Sequence, residues 1–384
     1  MELRAIELSS TFASSALERA SKIYPKIVEN GDAIDHEREL PEELAELLKD
    51  QGIFRLLVPR SMGGEELDFP AYLEVVRLIS HADGSTGWCV NQGAVFATHA
   101  GRAQPKLARE VWGNSIGVVG NGPPSGARYA RVREGYRLTG RWNFSSGCRH
   151  SNWLAAVAGG SDGEPTLLHF IPKEELKLVD VWQVNGLRGT GSFSFVADDH
   201  FVPKDRAMRL DTGPVESGPL YIVPQGLLFA CGFGCVALGV ARSAIDGVID
   251  LAMAKKAQFS QNTLARDPNV QTKIGHAEGL WNGAKAMLYD IVNQVWDNVC
   301  LNGEIGLDDR IRLRLAGTHA IRQSADVVDI VYNLSGSTAI FESTSIQRKF
   351  QDVHVITQQI QGREAHYQTV GKHLLGQDPT GGVF

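Results

Sequence analysis

The chain has 384 residues, enough for a large core, and its 43% hydrophobic and 21% charged residues are typical of a globular enzyme. The net charge of −6 excludes a global basic field that would attract nucleic acid. The sequence contains no uninterrupted apolar run of about 18 residues, so it predicts no membrane span. Residues 1–10 lack the basic flank and apolar core of a secretory signal.

The five cysteines are an odd number that favours a reduced cytoplasm over a disulfide framework. Cys231 and Cys235 lie four residues apart, on one face if they are helical. A metal site would need two further soft ligands, and none stands nearby at suitable spacing. We therefore predict that both thiols pack as small hydrophobic groups and that the chain binds no metal.

Apolar residues recur at helical spacing through the first third of the chain, for example at Leu17, Ala20 and Ile23. Turn signals such as Asn30-Gly31 separate the helical segments. This pattern predicts an N-terminal helical domain over residues 1–114.

The period of the pattern changes near residue 115 to short alternating runs. These runs predict a hairpin around Glu134-Gly135 and a small β barrel or sandwich over residues 115–217. The predicted strands are 116–119, 129–132, 136–142, 153–158, 166–171 and 192–196.

Helical periodicity returns after residue 217 in four long segments joined by short polar breaks. Such lengths predict a C-terminal four-helix bundle over residues 218–384, with the tail 376–384 lying over a surface or a neighbouring subunit. The fold class is thus mostly α with a central β domain. The predicted bundle segments are 226–256, 268–300, 307–333 and 345–376.

Three short segments occur in an order and at a spacing that are typical of one protein family. They are 58–64 (VPRSMGG), 186–195 (GLRGTGSFSF) followed by 201–203 (FVP), and 346–352 (IQRKFQD). The first resembles the turn after the second helix of the acyl-CoA dehydrogenase superfamily. The second resembles the strand pair that closes that superfamily's β domain, and the third resembles the start of its last long helix. The resemblance covers nearly the whole chain and implies that superfamily's fold.

Residues 142–147 (WNFSSG) resemble the strand that lies against the flavin in this superfamily. The dehydrogenases have threonine at the position of Ser145, whereas serine followed by Ser146 resembles the two-component flavin-dependent monooxygenases. The resemblance implies that the Ser145 hydroxyl bonds flavin N5 and discourages peroxide loss, since a hydroxyl both donates and accepts. Trp142, Phe144 and Ser146 would then bind the cofactor; a strand end with small turn residues is the alternative.

Residues 85–88 (STGW) resemble the start of the helix that lines the substrate pocket of these monooxygenases. Trp88 and Phe96 are the substrate-binding residues that this implies, and Asn121 is a further candidate. Several relatives carry a pocket histidine at the position of Phe96. His99 follows one helical turn later and is a catalytic candidate, with a structural role or core packing as the alternative.

Asp352-Val-His354 resembles the hydroxylase segment whose histidine lies beside flavin and substrate, which implies a catalytic His354. The hydroxylases usually have arginine before this aspartate and a second histidine five residues after the first. This sequence has Gln351 and Gln359 at those positions. Gln358, one helical turn after His354, is expected to bind substrate, and a helix histidine bonded to a neighbouring carbonyl is the alternative.

The family resemblance also implies residues that bind the flavin phosphates, some of them from a neighbouring subunit. The turn 189–192 offers backbone and hydroxyl donors, although a simple tight turn is the alternative. Residues 256–259 resemble the basic-x-x-Phe motif that reaches the partner's cofactor, which implies a dimer, commonly a homotetramer. The candidates are Thr190, Ser192, Lys256, Phe259 and Gly336.

Ile360 stands where many dehydrogenases carry the glutamate that removes the α-proton of an acyl thioester. Isoleucine cannot accept a proton. Some family members place this base on an earlier helix, where Asp246 and Asp250 lie, so the dehydrogenase interpretation is weakened but stays open.

Together these features imply the oxygenase component of a two-component flavin-dependent monooxygenase in the cytoplasm. No Gly-x-Gly-x-x-Gly follows a predicted strand, so reduced flavin, FMNH2 or FADH2, would come from a separate reductase. Reaction with O2 would give a C4a-hydroperoxyflavin that oxygenates a small aromatic substrate such as a phenol or indole. The alternatives are an acyl-CoA dehydrogenase or oxidase and a non-catalytic helical binding or scaffold protein.

Overall fold

The computed structural model describes residues 2–114, 116–160, 163–256 and 261–379, with no account of the side chains of residues 2–12. Contacts divide the chain into two compact units. The first unit comprises Met1–Asp68, Trp88–Gln183 and Arg188–Ile222, and the second comprises Phe69–Gly87, Val184–Leu187 and Val223–Phe384. The domain boundaries at 114/115 and 217/218 stay a prediction.

The N-terminal third is helical, as its apolar spacing predicts. The turn at residues 58–64 needs glycine, because Gly63 has a φ of 73° and a Cβ on Gly64 would lie 2.1 Å from the Val58 carbonyl oxygen. The helices are α1 (Glu2–Glu29), α2 (Gly31–Glu37), α3 (Glu42–Asp50), α4 (Phe69–Ala82), α5 (Gly84–Phe96) and α6 (Pro105–Trp112).

The strands form two four-stranded sheets within the first unit, in the orders β1-β4-β5-β8 and β2-β3-β7-β6. Among the strand pairs of the described residues, β1–β4 is parallel and the others are antiparallel. The strands are β1 (Val119–Asn121), β2 (Pro124–Val132), β3 (Gly135–Ser145), β4 (Trp153–Ala158), β5 (Leu167–Pro172), β6 (Lys177–Val179), β7 (Phe193–Pro203) and β8 (Ala207–Arg209).

The predicted hairpin is confirmed, since Val132 pairs with Gly135 across a two-residue turn. Two other strand predictions were wrong. The run 116–119 enters a strand only at Val119, and the supposed closing pair is the single strand β7, because residues 188–190 form a 3-10 turn. Strands β6 and β8 have three residues each, too few to show an alternating pattern in the sequence.

The C-terminal helices are α7 (Gln225–Ala254), α8 (Pro268–Asn302), α9 (Leu307–Ser335), α10 (Ser345–Gln358) and α11 (Ala365–Leu374). The first three confirm the predicted segments to within two residues. The prediction of one helix over 345–376 was wrong, because Gln359 is extended and a 3-10 turn follows it. Side chains replace the helical hydrogen bonds there: Gln359 accepts from the Gln361 amide at 2.7 Å, and Thr318 donates to the Gln361 carbonyl at 3.0 Å.

Helix α7 is the core helix of the second unit. By length and composition alone it could cross a membrane, since its most apolar 18-residue window has a mean hydropathy of 1.8. However, 83% of that window is buried within the protein. Cys231 and Cys235 are fully buried on it, which confirms their predicted packing. Close contact with α9 requires glycine, since a Cβ on Gly317 would lie 2.7 Å from the Ala230 backbone.

Candidate active site

Ser145 ends strand β3 in the first unit, and its hydroxyl is enclosed. The residue is 0% exposed, and its Oγ has no oxygen or nitrogen partner among the described residues. Burial raises the pKa of the neighbouring Cys148 thiol to about 11, and a hydrogen bond with the Ser145 side chain acts in the opposite direction. The β3–β7 register shifts between Trp142 and Ser145, which is how a bulge redirects a side chain. Phe144 adopts a φ of 53°, a conformation that bulky residues rarely take. A strained residue beside an unsatisfied buried hydroxyl is typical of a ligand site.

The Phe144 ring is 63% exposed and meets the edge of the Trp182 ring at a centroid distance of 6.1 Å. Trp142, two residues earlier, lies in the core instead. Its ring stacks on Phe195 at 5.0 Å, and its indole nitrogen donates to the Val157 carbonyl at 2.8 Å. Residues two apart in a regular strand share a face, so the positive φ of Phe144 and the register shift between Trp142 and Ser145 are what turn Phe144 outward while Trp142 stays inward. Both are cofactor-binding candidates from the sequence.

A cluster of buried hydroxyls follows Ser145. Ser146 Oγ lies 2.7 Å from Ser192 Oγ, which lies 2.7 Å from Thr190 Oγ1. Trp88 in α5 donates from its indole nitrogen to Ser146 at 3.0 Å. Four of the predicted cofactor- and substrate-binding residues are therefore joined by direct hydrogen bonds.

Gln92 is a residue that the sequence interpretation missed. It lies one helical turn after Trp88, and its Nε2 donates to Asn121 Oδ1 at 3.1 Å. The Asn121 Nδ2 is enclosed and has no partner among the described residues. The i, i+4 spacing from Trp88 was the only signal in the sequence, because a lone glutamine forms no motif.

Phe96 and His99 are packed against each other. Helix α5 ends at Phe96, and His99 lies in the 3-10 turn Ala97–Gly101 rather than on a continued helix. The two rings contact each other edge to face at 4.6 Å, and both side chains are buried.

His354 lies on α10 in the second unit. Its Nε2 is 2.9 Å from Asp329 Oδ1, and its ring meets the Phe350 ring at 4.5 Å. The side chain is 40% exposed within the chain. Gln358 is the last residue of the helix and donates to Thr357 at 3.1 Å. Because the helix stops there, Gln361, seven residues after His354, does not lie on the same helix face and belongs to the 3-10 turn that follows.

Asp352, in the same unit, stabilises the backbone of a neighbouring segment. It is 3% exposed and accepts from the Leu187 amide at 2.5 Å. Leu187 has a φ of 49°, so the carboxylate stabilises a strained backbone position just before the 3-10 turn at residues 188–190.

The candidates for contact with a partner subunit lie partly outside the described residues. Phe259 falls within 257–260, which the structure does not describe. Lys256 is exposed and pairs with Thr263 through the backbone. Lys255, rather than Lys256, contacts the turn after α9: its Nζ lies 2.6 Å from Thr338 Oγ1 and 3.3 Å from the Ser335 carbonyl, beside Gly336.

The carboxylates on α7 do not resemble a free base. Burial alone would raise the Asp246 pKa, but hydrogen bonds from His81 at 2.9 Å and Arg242 at 2.7 Å lower it below its usual range. Asp250 is exposed, and Ile360 opens the 3-10 turn after α10.

Family models, curated relatives and a solved structure all relate this chain to the same superfamily. Residues 17–106 match the N-terminal domain and residues 231–363 the C-terminal domain of acyl-CoA dehydrogenase. The chain is 30% identical to the flavin-dependent monooxygenase oxygenase subunit HsaA of Rhodococcus jostii, covering 88% of this chain and 92% of that one. It is 29% identical to indole-3-acetate monooxygenase of Pseudomonas putida, covering 91% of each chain. The crystal structure of 3-HSA hydroxylase from Rhodococcus sp. RHA1 superposes with a TM-score of 0.88 at 25% identity, covering 95% of this chain and 97% of that one.

Proposed function

Because the chain belongs to the flavin-dependent monooxygenase branch of the acyl-CoA dehydrogenase superfamily, we propose that it is an oxygenase component that acts on a small aromatic compound. The proposed substrate class is phenol- or indole-like. Reduced flavin is delivered by a separate reductase, in keeping with relatives named as oxygenase subunits. The proposed assembly is a cytoplasmic homotetramer.

The observation that carries this proposal is the enclosed Oγ of Ser145, which has no oxygen or nitrogen partner among the described residues. A hydroxyl can accept from a ring N–H and can donate to a ring nitrogen, so it fits flavin N5 in either redox state. A buried hydroxyl without a partner costs about 1–3 kcal/mol, a cost that a bound ligand removes. When bound, the reduced flavin supplies electrons to O2, so that one oxygen atom enters the substrate and the other leaves as water.

The first unit also contains the aromatic side chains that an apolar, planar substrate needs. Trp88 and Phe96 lie eight residues apart in α5, two helical turns, with Gln92 between them. The Gln92–Asn121 pair adds a polar group that can orient a substrate oxygen. Enclosing aromatic rings keep water out of the site, and water would favour unproductive release of peroxide.

In the second unit, the chain's proposed acid–base group is His354. The hydrogen bond to Asp329 fixes one ring nitrogen and leaves the other to hold or move a proton at the substrate oxygen. Gln358 extends the polar end of the same helix. Lys256, Phe259 and Gly336 are proposed to contact a partner's cofactor, with Lys255 holding the turn before Gly336.

Flavin binding under anaerobic conditions tests the proposal. We expect reduced FMN or FAD to bind more tightly than its oxidised form, because the protein must capture flavin from a reductase. Admitting oxygen should then give a transient absorbance from a C4a–oxygen adduct. Tightly bound oxidised flavin that an acyl thioester bleaches without oxygen would contradict the proposal, and so would a protein that binds no flavin.

A further inference from the structure

The Trp88 indole anchors one end of a chain of three hydrogen bonds. The bonds run from Trp88 Nε1 to Ser146 Oγ at 3.0 Å, on to Ser192 Oγ at 2.7 Å, and on to Thr190 Oγ1 at 2.7 Å. All four side chains are at most 7% exposed. The chain therefore connects α5 to the turn at residues 189–192 through the interior of the first unit.

Donor chemistry fixes the first bond of this chain and favours one direction for the other two. An indole N–H can only donate, so Ser146 cannot give its proton to Trp88. Either oxygen can be the donor between Ser146 and Ser192, and donation from Ser146 is the arrangement in which a hydroxyl that already accepts from Trp88 uses its own proton as well. The same arrangement has Ser192 donate to Thr190, a bond in which either oxygen can be the donor, so that the protons run from α5 towards the turn. Hydrogen bonds aligned in one direction strengthen one another.

A second set of contacts holds the same turn. The Gly147 amide, which follows Ser146, donates to the Thr190 carbonyl at 2.8 Å. The Cys89 thiol, which follows Trp88, lies 3.9 Å from that carbonyl oxygen. The two elements that hold the Thr190 hydroxyl thus also hold its backbone, so α5 and the strand end fix this turn together.

We propose that Trp88 is a positioning residue for the flavin phosphate, in addition to its expected place beside the substrate. This rests on the proposed function, in which Thr190 and Ser192 bind the cofactor. The indole N–H orders the hydroxyls of the 189–192 turn, so the donors that meet an anionic phosphate are in place before flavin binds. Ordering donors in advance reduces the entropy lost on binding.

The test compares flavins with and without phosphate. Trp88→Phe keeps an aromatic ring and removes the N–H. Its affinity for reduced FMN or FAD should fall by about threefold to tenfold, as expected for one hydrogen bond, while its affinity for reduced riboflavin stays within about twofold. Trp112→Phe is the matched control, since the buried Trp112 Nε1 has no partner among the described residues; its affinities should equal those of the wild type.

A double-mutant cycle identifies the route. In a Thr190→Val background, Trp88→Phe should have little further effect on FMN or FAD affinity, because the Thr190 hydroxyl that the hydrogen bonds reach is already missing. Equal weakening of all three flavins would place Trp88 on the isoalloxazine ring and overturn the inference. Unchanged affinities, or additive effects in the cycle, would overturn it as well. A wild-type protein that binds no reduced flavin would instead overturn the proposed function.

Discussion

Ser145 in the first unit differs from the buried serines in the helices of the second unit. In the helices of the second unit, Ser80, Ser324 and Ser335 each donate to the carbonyl four residues earlier, at 2.7 to 2.8 Å. Ser145 ends a strand in the first unit, and its Oγ has no carbonyl or other oxygen or nitrogen partner among the described residues, only the weakly bonding Cys148 thiol nearby. A helix supplies its own acceptor to a buried serine. At a strand end the hydroxyl needs a partner from elsewhere, and we assign that partner to the flavin.

The largest expected effect concerns the group that the helical unit contributes. His354→Ala should slow substrate oxygenation by about 10²–10⁴-fold, typical of a lost acid–base group, with a much smaller change in flavin affinity. Product formation with excess reduced flavin measures the first quantity, and anaerobic titration the second. His373→Ala is the matched control, because His373 also pairs with an aspartate, Asp308, at 2.8 Å. Wild-type turnover in the His354 variant would show that His354 takes no part in catalysis.

The serine comparison predicts two separable results. Ser145→Ala should raise peroxide release relative to product by about fivefold to thirtyfold, as expected for a lost hydrogen bond of roughly 1–2 kcal/mol. The same variant should not lower the melting temperature of the flavin-free protein, because among the described residues that hydroxyl has no oxygen or nitrogen partner to lose and a thiol such as Cys148 bonds only weakly. Ser324→Ala should keep wild-type coupling. A destabilised Ser145 variant with normal coupling would show that Ser145 is an ordinary structural serine.

A further expected effect is a pH dependence of stability in the first unit. Burial, together with the charges of Lys49 and Lys173, lowers the pKa of His150 from 6.5 to about 3. The unfolded chain then binds the extra proton between pH 6.5 and 3, so stability is full above this window and falls on acidification. The slope contributed is at most about 1.4 kcal/mol per pH unit.

His150→Phe should flatten this decline in urea-unfolding experiments across the window. His276→Gln, a change at an exposed histidine, should keep the wild-type slope. An unchanged slope in the His150 variant would mean that this ring is protonated as easily in the folded state as in the unfolded state.

The sequence predicts those parts of the fold that repeat a simple pattern. Helices α7, α8 and α9 carry apolar spacing over about thirty residues each, so their bounds are found to within two residues. The end of α10 depends on one side chain, Gln359, that caps the next turn, and no period reveals it. Strands β6 and β8 are not predicted either, because three residues are too few to show an alternating pattern.

The candidate site shows a similar division. The small residues at 145–147 and 189–192 are visible as turns, and family resemblance links them to flavin. Their hydrogen bonds to Trp88 arise from tertiary packing, as does the Gln92–Asn121 pair. Spacing along one helix shows that Trp88 and Gln92 share a face, but it cannot show which strand ends that face meets.

Incorporation of labelled oxygen tests the central claim most directly. The protein, free of any reductase, is mixed with chemically reduced flavin, oxygen-18 gas and a panel of phenols and indoles, and the products are weighed by mass spectrometry. The account predicts one oxygen-18 atom in an aromatic product, with the yield limited by the reduced flavin supplied. Flavin oxidised only to hydrogen peroxide across the whole panel, with no labelled product, would contradict it.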